Sequence, residues 1–159
     1  IAMQTLQYER GAEAGAAGGL MQVRVVIDDV INSLRGISHD GEPVLDDPVV
    51  RDELVQLMIE EKCHSLGARR AGIPALTSDY PFSLNLSAKL RTSEYSRRMR
   101  KFAVLAQGGH GSLYVGDPDA LEGGFWQRAY LNNFSTTIGG GTSQIQANIV
   151  GEHVLGLPK

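Results

Sequence analysis

The sequence has few of the features that assign a protein to a class at once. Cys63 is the single cysteine among 159 residues, which excludes an internal disulfide and suits a reducing compartment, so we expect a cytoplasmic protein. The net charge of −3 gives no basic surface of the kind that binds nucleic acid. No apolar run approaches the length that spans a membrane. Nucleic acid and membrane are therefore not expected as partners.

Residue patterns for metal binding and covalent catalysis are also missing. No two histidines lie three or four positions apart, the spacing that brings two ligands together on one helix face. Cys63 and His64 are neighbours, and on a helix such side chains point about 100° apart, which does not pair a thiol with a base. The sequence contains neither a Walker loop nor a serine-centred nucleophile elbow. We therefore predict no metal site and no cysteine or serine nucleophile.

What the sequence does contain is helical periodicity. Asp47 and Pro48 form a clear helix start, a capping carboxylate followed by proline at the first helical position. Gly72 and Pro74 end that helix. There is no convincing strand alternation and no internal repeat. The predicted fold is all-α, an up-down bundle of three long helices, over about 5–35, 48–71 and 83–107, and two short C-terminal helices, over about 125–134 and from about 143.

The extent of the domain and its buried positions follow from the same pattern. The length is that of one domain, so residues 1–159 are predicted to form a single helical bundle. Because the chain begins inside a helical pattern, we expect it to be a fragment of a longer protein. A basic cluster of Arg97, Arg98, Arg100 and Lys101 is interpreted as a solvated helix face, with an interdomain or subunit contact as the alternative. Positions predicted to be buried are Leu20, Val23, Ile27, Val30, Ile31, Leu34, Val50, Leu54, Leu57, Met58, Leu66, Leu86, Leu90, Met99, Phe102, Leu105, Phe125, Trp126, Tyr130, Leu131, Phe134, Ile145, Ile149 and Val150.

A glycine-rich turn precedes the last predicted helix. Gly139–Gly141 can reach backbone conformations that a Cβ would forbid. Thr142 or Ser143 then offers a hydroxyl to cap the first free N–H groups of the helix. Such a turn can hold an anion, because the unpaired N–H groups and the helix dipole both favour negative charge. Many turns of this kind only connect two elements, and the pattern alone leaves both interpretations open.

The sequence motifs around this turn indicate a particular protein family more specifically. Residues 138–146 read Ile-Gly-Gly-Gly-Thr-Ser-Gln-Ile-Gln, and residues 154–158 read Val-Leu-Gly-Leu-Pro. Together they resemble the C-terminal end of acyl-CoA dehydrogenases. The resemblance implies the C-terminal helical domain of an FAD-dependent enzyme of lipid metabolism that converts an acyl-CoA thioester into trans-2-enoyl-CoA and passes electrons to an electron-transfer flavoprotein. It also implies an N-terminal helical domain, a middle β-domain and a homo-oligomer, a dimer or a tetramer, in the parent protein.

The same resemblance implies a catalytic base. In this family a glutamate removes a proton α to the thioester carbonyl while the β hydrogen leaves as hydride to the flavin. Many members carry that glutamate just before the Gly-Thr of the turn, where this sequence has Gly140, which cannot act as a base. A second branch carries it on the first bundle helix, immediately before an arginine, and Glu9 followed by Arg10 matches that pattern. Glu9 is thus the implied base, and Glu13, one turn later, is the alternative.

The implied cofactor contacts surround the turn, but the sequence also departs from the family pattern. Family members commonly have an arginine after Gln-Ile-Gln, where this sequence has Ala147. Residues 34–38 stand where the family pattern has an Arg-Lys-Gln-Phe-Gly segment. These departures would fit a heterotetramer in which only some subunits hold flavin. The alternatives are therefore a non-catalytic assembly subunit, or a flavin oxidase or monooxygenase of the same fold. The residues implied to contact or accommodate the flavin are Gly140, Gly141, Thr142, Ser143 and Gln144.

Overall fold

The computed structural model describes residues 25–77 and 83–158. Within these residues the regular structure is almost entirely helical, so the predicted all-α class is confirmed. A two-stranded antiparallel pair, β1 (Ser38–His39) and β2 (Glu42–Pro43), is the exception among them. The α-helices are α1 (Ile27–Leu34), α2 (Pro48–Ala71), α3 (Ser83–Leu105), α4 (Phe125–Ile138) and α5 (Ser143–His153). Short 3₁₀ turns cover Val44–Asp46, Pro74–Leu76, Gly108–Ser112 and Leu121–Gly124.

The first predicted helix is not continuous up to its expected end. Val26 has extended backbone angles, φ −112° and ψ 164°, and α1 begins only at Ile27. The Val26 N–H donates to Asp29 Oδ2 at 2.9 Å, and the Asp29 N–H donates to the Val26 carbonyl at 3.0 Å. Valine loses side-chain freedom in a helix, which favours the extended form here. The prediction of one helix over about 5–35 is therefore wrong at Val25 and Val26, and residues 1–24 lie outside the described residues.

The loop after α1 contains a hairpin that the sequence pattern did not reveal. β1 pairs with β2 so that Ser38 lies opposite Pro43 and His39 opposite Glu42. Asp40 and Gly41, at the tip, have φ values of 53° and 88°. Positive φ at both central residues is the form of two-residue turn that matches the strand twist. Strands of two residues are too short to show alternation, so the sequence pattern could not reveal them.

The second helix starts and ends as predicted. Asp47 Oδ1 accepts from the Val49 N–H at 2.7 Å and from the Val50 N–H at 3.3 Å, which satisfies two donors of the first turn of α2. The helix ends at Ala71, next to Gly72. The fourth helix is longer than predicted, because α4 continues to Ile138.

The chain divides into two compact units, which we name the core unit and the turn unit. The core unit comprises Arg24–Glu61 and Tyr95–Phe134, and the turn unit includes Lys62–Glu94 and Ser135–Lys159. Among the described residues, the buried apolar side chains all belong to the core unit. They form a cluster to which α1, α2, α3 and α4 each contribute. Its members are Ile27, Val30, Leu34, Ile37, Val44, Leu54, Leu57, Tyr95, Met99, Ala103, Ala106 and Trp126.

Several positions predicted to be buried are exposed instead. Helical spacing shows which side chains share a face, but it does not show how wide a stripe is covered. In α2, for example, Leu54 and Leu57 are buried whereas Met58 and Leu66 lie outside the covered stripe. The exposed members of the predicted set are Met58, Leu66, Leu105, Leu131, Phe134 and Ile145.

The basic cluster of α3 is only partly a solvated face. Arg98 is exposed and forms ion pairs with Glu60 at 2.5 Å and Glu53 at 3.5 Å. Arg100, by contrast, is buried, and its guanidinium donates to the Ser96 carbonyl at 3.3 Å and to the Ser96 hydroxyl. Burial lowers the pKa of Arg100 because removing water disfavours the charged form. The interpretation as a solvated face is therefore wrong for Arg100.

Polar contacts also tie the helices of the core unit together. Trp126 Nε1 donates to Ser33 Oγ at 2.8 Å, and that hydroxyl donates to the Glu122 carboxylate, so α1 is joined to the start of α4. Gln127 Nε2 donates to Gln107 Oε1 at 2.8 Å between two buried side chains. None of the helices in the described part of the chain is both long and apolar enough to cross a membrane.

Candidate functional site

The residues predicted to form the site fall into two groups. Glu9 and Glu13, the two candidate bases, lie outside the described residues. Those implied to contact the flavin, residues 140–144, lie together in the turn unit, where α4 ends and α5 begins. The geometry of the candidate site is accordingly that of the Gly139–Gly141 turn and the first turn of α5.

The turn is closed by its own backbone and requires glycine. The Gly139 N–H donates to the Ser135 carbonyl at 2.8 Å, and the Gly141 N–H donates to the Ile138 carbonyl at 3.2 Å. Gly140 and Gly141 have φ values of 68° and 105°. These are left-handed conformations that residues with a Cβ rarely adopt. The chain can therefore reverse direction at the end of α4 without strain.

The helix after the turn has its predicted cap. Thr142 is extended, with φ −61° and ψ 163°, and its Oγ1 accepts from the Ile145 N–H at 3.4 Å. Because the first N–H groups of a helix have no partner within the helix, those of Ser143 and Gln144 are available at this end of α5. The Gln144 side chain is exposed. This end of α5 can thus present backbone donors and one amide side chain to a ligand.

Three side chains that the sequence pattern did not single out hold the turn and the start of α5, namely those of Gln146, Lys89 and Glu94. Gln146 Nε2 donates to the Gly140 carbonyl at 2.8 Å. Lys89 Nζ donates to the Gly141 carbonyl at 2.5 Å, and the Ser143 hydroxyl donates to the Glu94 carboxylate. Gln146 is the last residue of the Gln-Ile-Gln motif, so its closeness to the turn in sequence could have indicated this contact. Lys89 and Glu94 are 52 and 49 positions away from their partners, and no local pattern reveals such pairs.

These contacts also determine which face of α5 is buried. Gln146 is almost fully buried at 2% exposure, whereas Ile145 is exposed and Ile149 and Val150 are half-buried. The buried side of α5 in the described structure is therefore centred on a polar residue that is hydrogen-bonded to the turn. The prediction that Ile145 is buried is wrong for this reason.

The arrangement favours a ligand that accepts hydrogen bonds. The carbonyl oxygens of Gly140 and Gly141 accept from side-chain donors, so the groups offered to a ligand here are the backbone N–H groups of Ser143 and Gln144. The dipole of α5 adds partial positive charge at the same place. The Glu94 carboxylate, which is held there by Ser143, offsets part of that charge. A neutral acceptor, such as the carbonyl edge of a flavin ring, therefore fits this end of α5 at least as well as a phosphate does.

Over residues 25–77 and 83–158, no three side chains among histidine, cysteine, aspartate and glutamate come close enough to hold one ion. The Cys63 side chain is exposed on α2.

The family model for the acyl-CoA dehydrogenase C-terminal domain matches residues 1–155. The acyl-CoA dehydrogenase IpdE1 of Mycolicibacterium smegmatis is 33% identical over 161 residues, covering 100% of this chain and 36% of that protein. IpdE1 of Mycobacterium tuberculosis is 30% identical over 162 residues, covering 100% of this chain and 38% of that protein. The chain thus spans little more than a third of the length of these relatives.

Solved structures with the same fold were found as well. The ChsE4-ChsE5 complex from Mycobacterium tuberculosis matches with a TM-score of 0.67 at 21% identity, over 84% of this chain and 35% of that one. A G363A variant of the steroid ACAD Tcur3481-Tcur3483 matches with a TM-score of 0.71 at 20% identity, over 99% of this chain and 40% of that one. At these identities the likeness supports the fold alone. With the family match over residues 1–155, the chain belongs to the acyl-CoA dehydrogenase family and corresponds to its C-terminal domain.

Proposed function

We propose that the full-length protein is an FAD-dependent acyl-CoA dehydrogenase that converts an acyl-CoA thioester into trans-2-enoyl-CoA. Family membership supports an oxidoreductase role. The observation that carries the proposal is the turn before α5. The Gly141 and Gly140 carbonyls accept from Lys89 and Gln146, and the backbone N–H groups of Ser143 and Gln144, in the first turn of α5, remain for a ligand.

The flavin contacts would come from the residues around Thr142. The backbone N–H groups of Ser143 and Gln144 can donate to acceptor atoms of the flavin, as can the Gln144 amide. Thr142 Oγ1 accepts from the Ile145 N–H, and its own O–H can still donate to the cofactor. FAD, when bound, supplies the acceptor for the hydride that leaves the substrate. Gly140 and Gly141 would leave room for the flavin and the thioester because they carry no Cβ.

Glu9 is the proposed base. Its role would be to hold the proton that leaves the carbon α to the thioester carbonyl. To work near neutral pH, its carboxyl pKa must be raised, which an apolar pocket closed by bound substrate would achieve. The assignment derives from the order Glu9-Arg10 in the sequence and from the family to which the chain belongs. Glu13 remains the alternative base.

The proposed base is tested in the full-length protein by a pair of variants. Glu9→Gln should lower turnover of an acyl-CoA substrate by about 10²–10⁴-fold, because loss of a positioned base has an effect of that size. The visible flavin spectrum should be unchanged, because the substitution keeps the size of the side chain. Glu13→Gln is the matched control and should retain most activity. Near-normal turnover of Glu9→Gln would overturn the assignment, and a selective loss in Glu13→Gln would transfer the role to Glu13.

A second candidate function is a non-catalytic assembly subunit. It is favoured by Gly140 and Ala147, and by the hairpin that follows Leu34 where the family pattern has an Arg-Lys-Gln-Phe-Gly segment. The similar structures are complexes of two different proteins, which supports assembly with a second kind of subunit. Purification of the full-length chain with and without a co-expressed partner separates the two functions. A chain that is colourless alone, and whose Glu9→Gln variant is active in the complex, would be the assembly subunit.

The electron acceptor and the substrate need separate tests. We propose an electron-transfer flavoprotein as the acceptor. Flavin oxidases and monooxygenases of the same fold would instead consume oxygen during turnover, which an oxygen electrode detects. The substrate panel should compare CoA thioesters of linear, branched and steroid-derived acids, since one of the similar structures is described as a steroid ACAD. Turnover in step with reduction of the flavoprotein, without oxygen uptake, is the expected result.

A further inference from the structure

We propose that Lys89 and Glu94 of α3 are positioning residues, which hold the Gly139–Gly141 turn and the first turn of α5 in the orientation that receives the ligand. The inference rests on the proposed function for the identity of that ligand, FAD. The contacts themselves do not depend on it. Neither residue is among those implied by the resemblance to the family.

Lys89 acts on the residue before the helix cap. Its ammonium donates to the Gly141 carbonyl at 2.5 Å, and its side chain is half-buried. A Cβ built on Gly140 would meet Lys89 Cε at 3.9 Å, so the lysine stem passes alongside the turn. A hydrogen bond from a charged donor is stronger than one between neutral groups. Lys89 therefore fixes the direction of the peptide group between Gly141 and Thr142.

Glu94 acts on the residue after the helix cap. Its carboxylate accepts from the Ser143 hydroxyl, and both side chains are half-buried. A negative charge at this end of α5 is favourable because it faces the positive end of the helix dipole. The Ser143 hydroxyl is thereby directed towards α3, so what Ser143 offers to a ligand is its backbone N–H.

The two contacts act together on Thr142. Lys89 and Glu94 are five positions apart on α3, so their side chains leave the helix about 140° apart and about 7.5 Å apart along its axis. Nevertheless they contact Gly141 and Ser143, the two neighbours of Thr142. A positive and a negative side chain thus fix the residues on both sides of the cap. Loss of either should let the N–H groups of Ser143 and Gln144 change direction without unfolding the chain.

The experiment uses the full-length protein, together with its partner subunit where it has one, and does not depend on activity alone. Lys89→Met removes the ammonium and keeps the stem, Lys89→Arg restores a cation, and Glu94→Gln keeps an acceptor without the charge. Lys101→Met is the matched control because Lys101 is exposed on the same helix. Amide hydrogen exchange of residues 139–146 is measured without FAD, and residues 108–124 serve as the internal reference. FAD affinity is measured by titration of the flavin absorbance, and kcat and KM are measured with substrate.

In Lys89→Met, exchange over residues 139–146 should become roughly tenfold faster, which is the size expected for loss of one charge-assisted hydrogen bond. Exchange over residues 108–124 should not change. The FAD dissociation constant should rise roughly tenfold, and Lys89→Arg should restore it to within about threefold. Glu94→Gln should show the same pattern with a smaller effect, and it carries the test if Lys89→Met does not fold. KM should change more than kcat, because the reacting groups themselves are unaltered.

The outcomes distinguish this inference from the proposed function. Unchanged exchange over residues 139–146 in both Lys89→Met and Glu94→Gln would overturn the inference. Faster exchange that leaves the FAD affinity unchanged would show a merely structural role and would also overturn it. A wild-type protein that binds no FAD, alone or with a partner, would refute the proposed function, and the exchange measurement would then decide whether the two side chains fix the turn.

Discussion

The core unit and the turn unit differ in the interactions that stabilise each of them internally. In the core unit, twelve buried side chains from four helices and the hairpin segment form one apolar cluster. In the described part of the turn unit, the buried residues are Ser93 and Gln146, both polar. The turn is fixed instead by hydrogen bonds from Lys89, Gln146 and Ser143. Apolar burial stabilises one unit, and directional polar contacts orient the described part of the other.

The difference predicts two kinds of mutational effect. Burial of apolar area is non-directional and accounts for most of the free energy of folding, so substitutions in the core unit should lower stability. A single hydrogen bond contributes little net stability but fixes a direction. Substitutions around the turn should therefore alter ligand affinity more than the free energy of unfolding.

The largest effect is expected for Trp126→Ala. Trp126 is 1% exposed, contacts the apolar cluster and donates to Ser33. Truncating a buried tryptophan removes that burial and leaves a cavity, so the free energy of unfolding should fall by about 3–5 kcal/mol. Leu131→Ala on the same helix is the control, because Leu131 is 54% exposed and should cost less than about 0.5–1 kcal/mol. Urea unfolding followed by circular dichroism gives both values, and similar losses would contradict the described core.

Alanine substitutions at two glycines, one in each unit, test whether steric contact or backbone conformation determines the loss of stability. Gly124 in the core unit and Gly140 in the turn unit have similar φ values, 75° and 68°. A Cβ on Gly124 would lie 2.6 Å from the Val115 nitrogen, whereas a Cβ on Gly140 would meet its nearest atom, Lys89 Cε, at 3.9 Å. Both substitutions to alanine should cost about 1–2 kcal/mol for the left-handed backbone. Gly124→Ala should cost about 1–3 kcal/mol more, because its Cβ would be forced against the Val115 backbone.

The same urea titrations measure this pair, and FAD titration adds a second readout. Gly140→Ala is expected to weaken FAD binding although it is the less destabilising of the two, because it changes the turn that precedes the flavin-contacting residues. Equal losses of stability would show that the backbone around Val115 relaxes to admit a methyl group. Weaker FAD binding in Gly124→Ala alone would contradict the assignment of the turn to the ligand.

The local features of this fold could be predicted from the sequence because their causes are local. Asp47 and Pro48 carry their own start signal, and the cap at Thr142 needs only a hydroxyl after a glycine turn. The break at Val26 was missed because helical spacing continues across it in the sequence. The burial of Arg100 was missed because a run of basic residues gives no sign that one of them faces inward.

The candidate site was predictable to a similar, limited extent. Residues 140–144 were proposed from a long motif that resembles the family, and they lie at the start of α5. Their contact with a flavin stays a prediction. The side chains that orient them were not found, because Lys89 and Glu94 approach from another helix and the sequence does not state which residues of two helices meet. Gln146 lay within the motif itself but was interpreted as part of the helix rather than as a support for the turn.

Smaller losses of stability than those of the tryptophan and glycine variants are expected at the two helix caps. Asp47 Oδ1 accepts from two N–H groups, the nearer at 2.7 Å, whereas Thr142 Oγ1 accepts from one at 3.4 Å. Asp47→Ala should therefore lower the free energy of unfolding by about 1 kcal/mol. Thr142→Ala should lower it by about half as much or less, because its single bond is long. The measured order in urea tests the geometry, and a larger loss for Thr142→Ala would contradict it.

The last effect depends on pH and belongs to the core unit. Burial, together with the nearby Glu61 and Glu60, raises the pKa of Tyr95 well above its ordinary value. The unfolded chain then loses the phenol proton at a lower pH than the folded chain does, so this group stabilises the fold fully below about pH 10 and progressively less above it. The free energy of unfolding of the wild type should fall between about pH 9 and pH 11, and Tyr95→Phe should show a shallower fall. Tyr114→Phe is the control because Tyr114 is exposed, and its slope should match the wild type. Equal slopes in all three proteins would mean that the Tyr95 phenol ionises as readily in the folded chain as in the unfolded one, which its burial against the apolar cluster argues against.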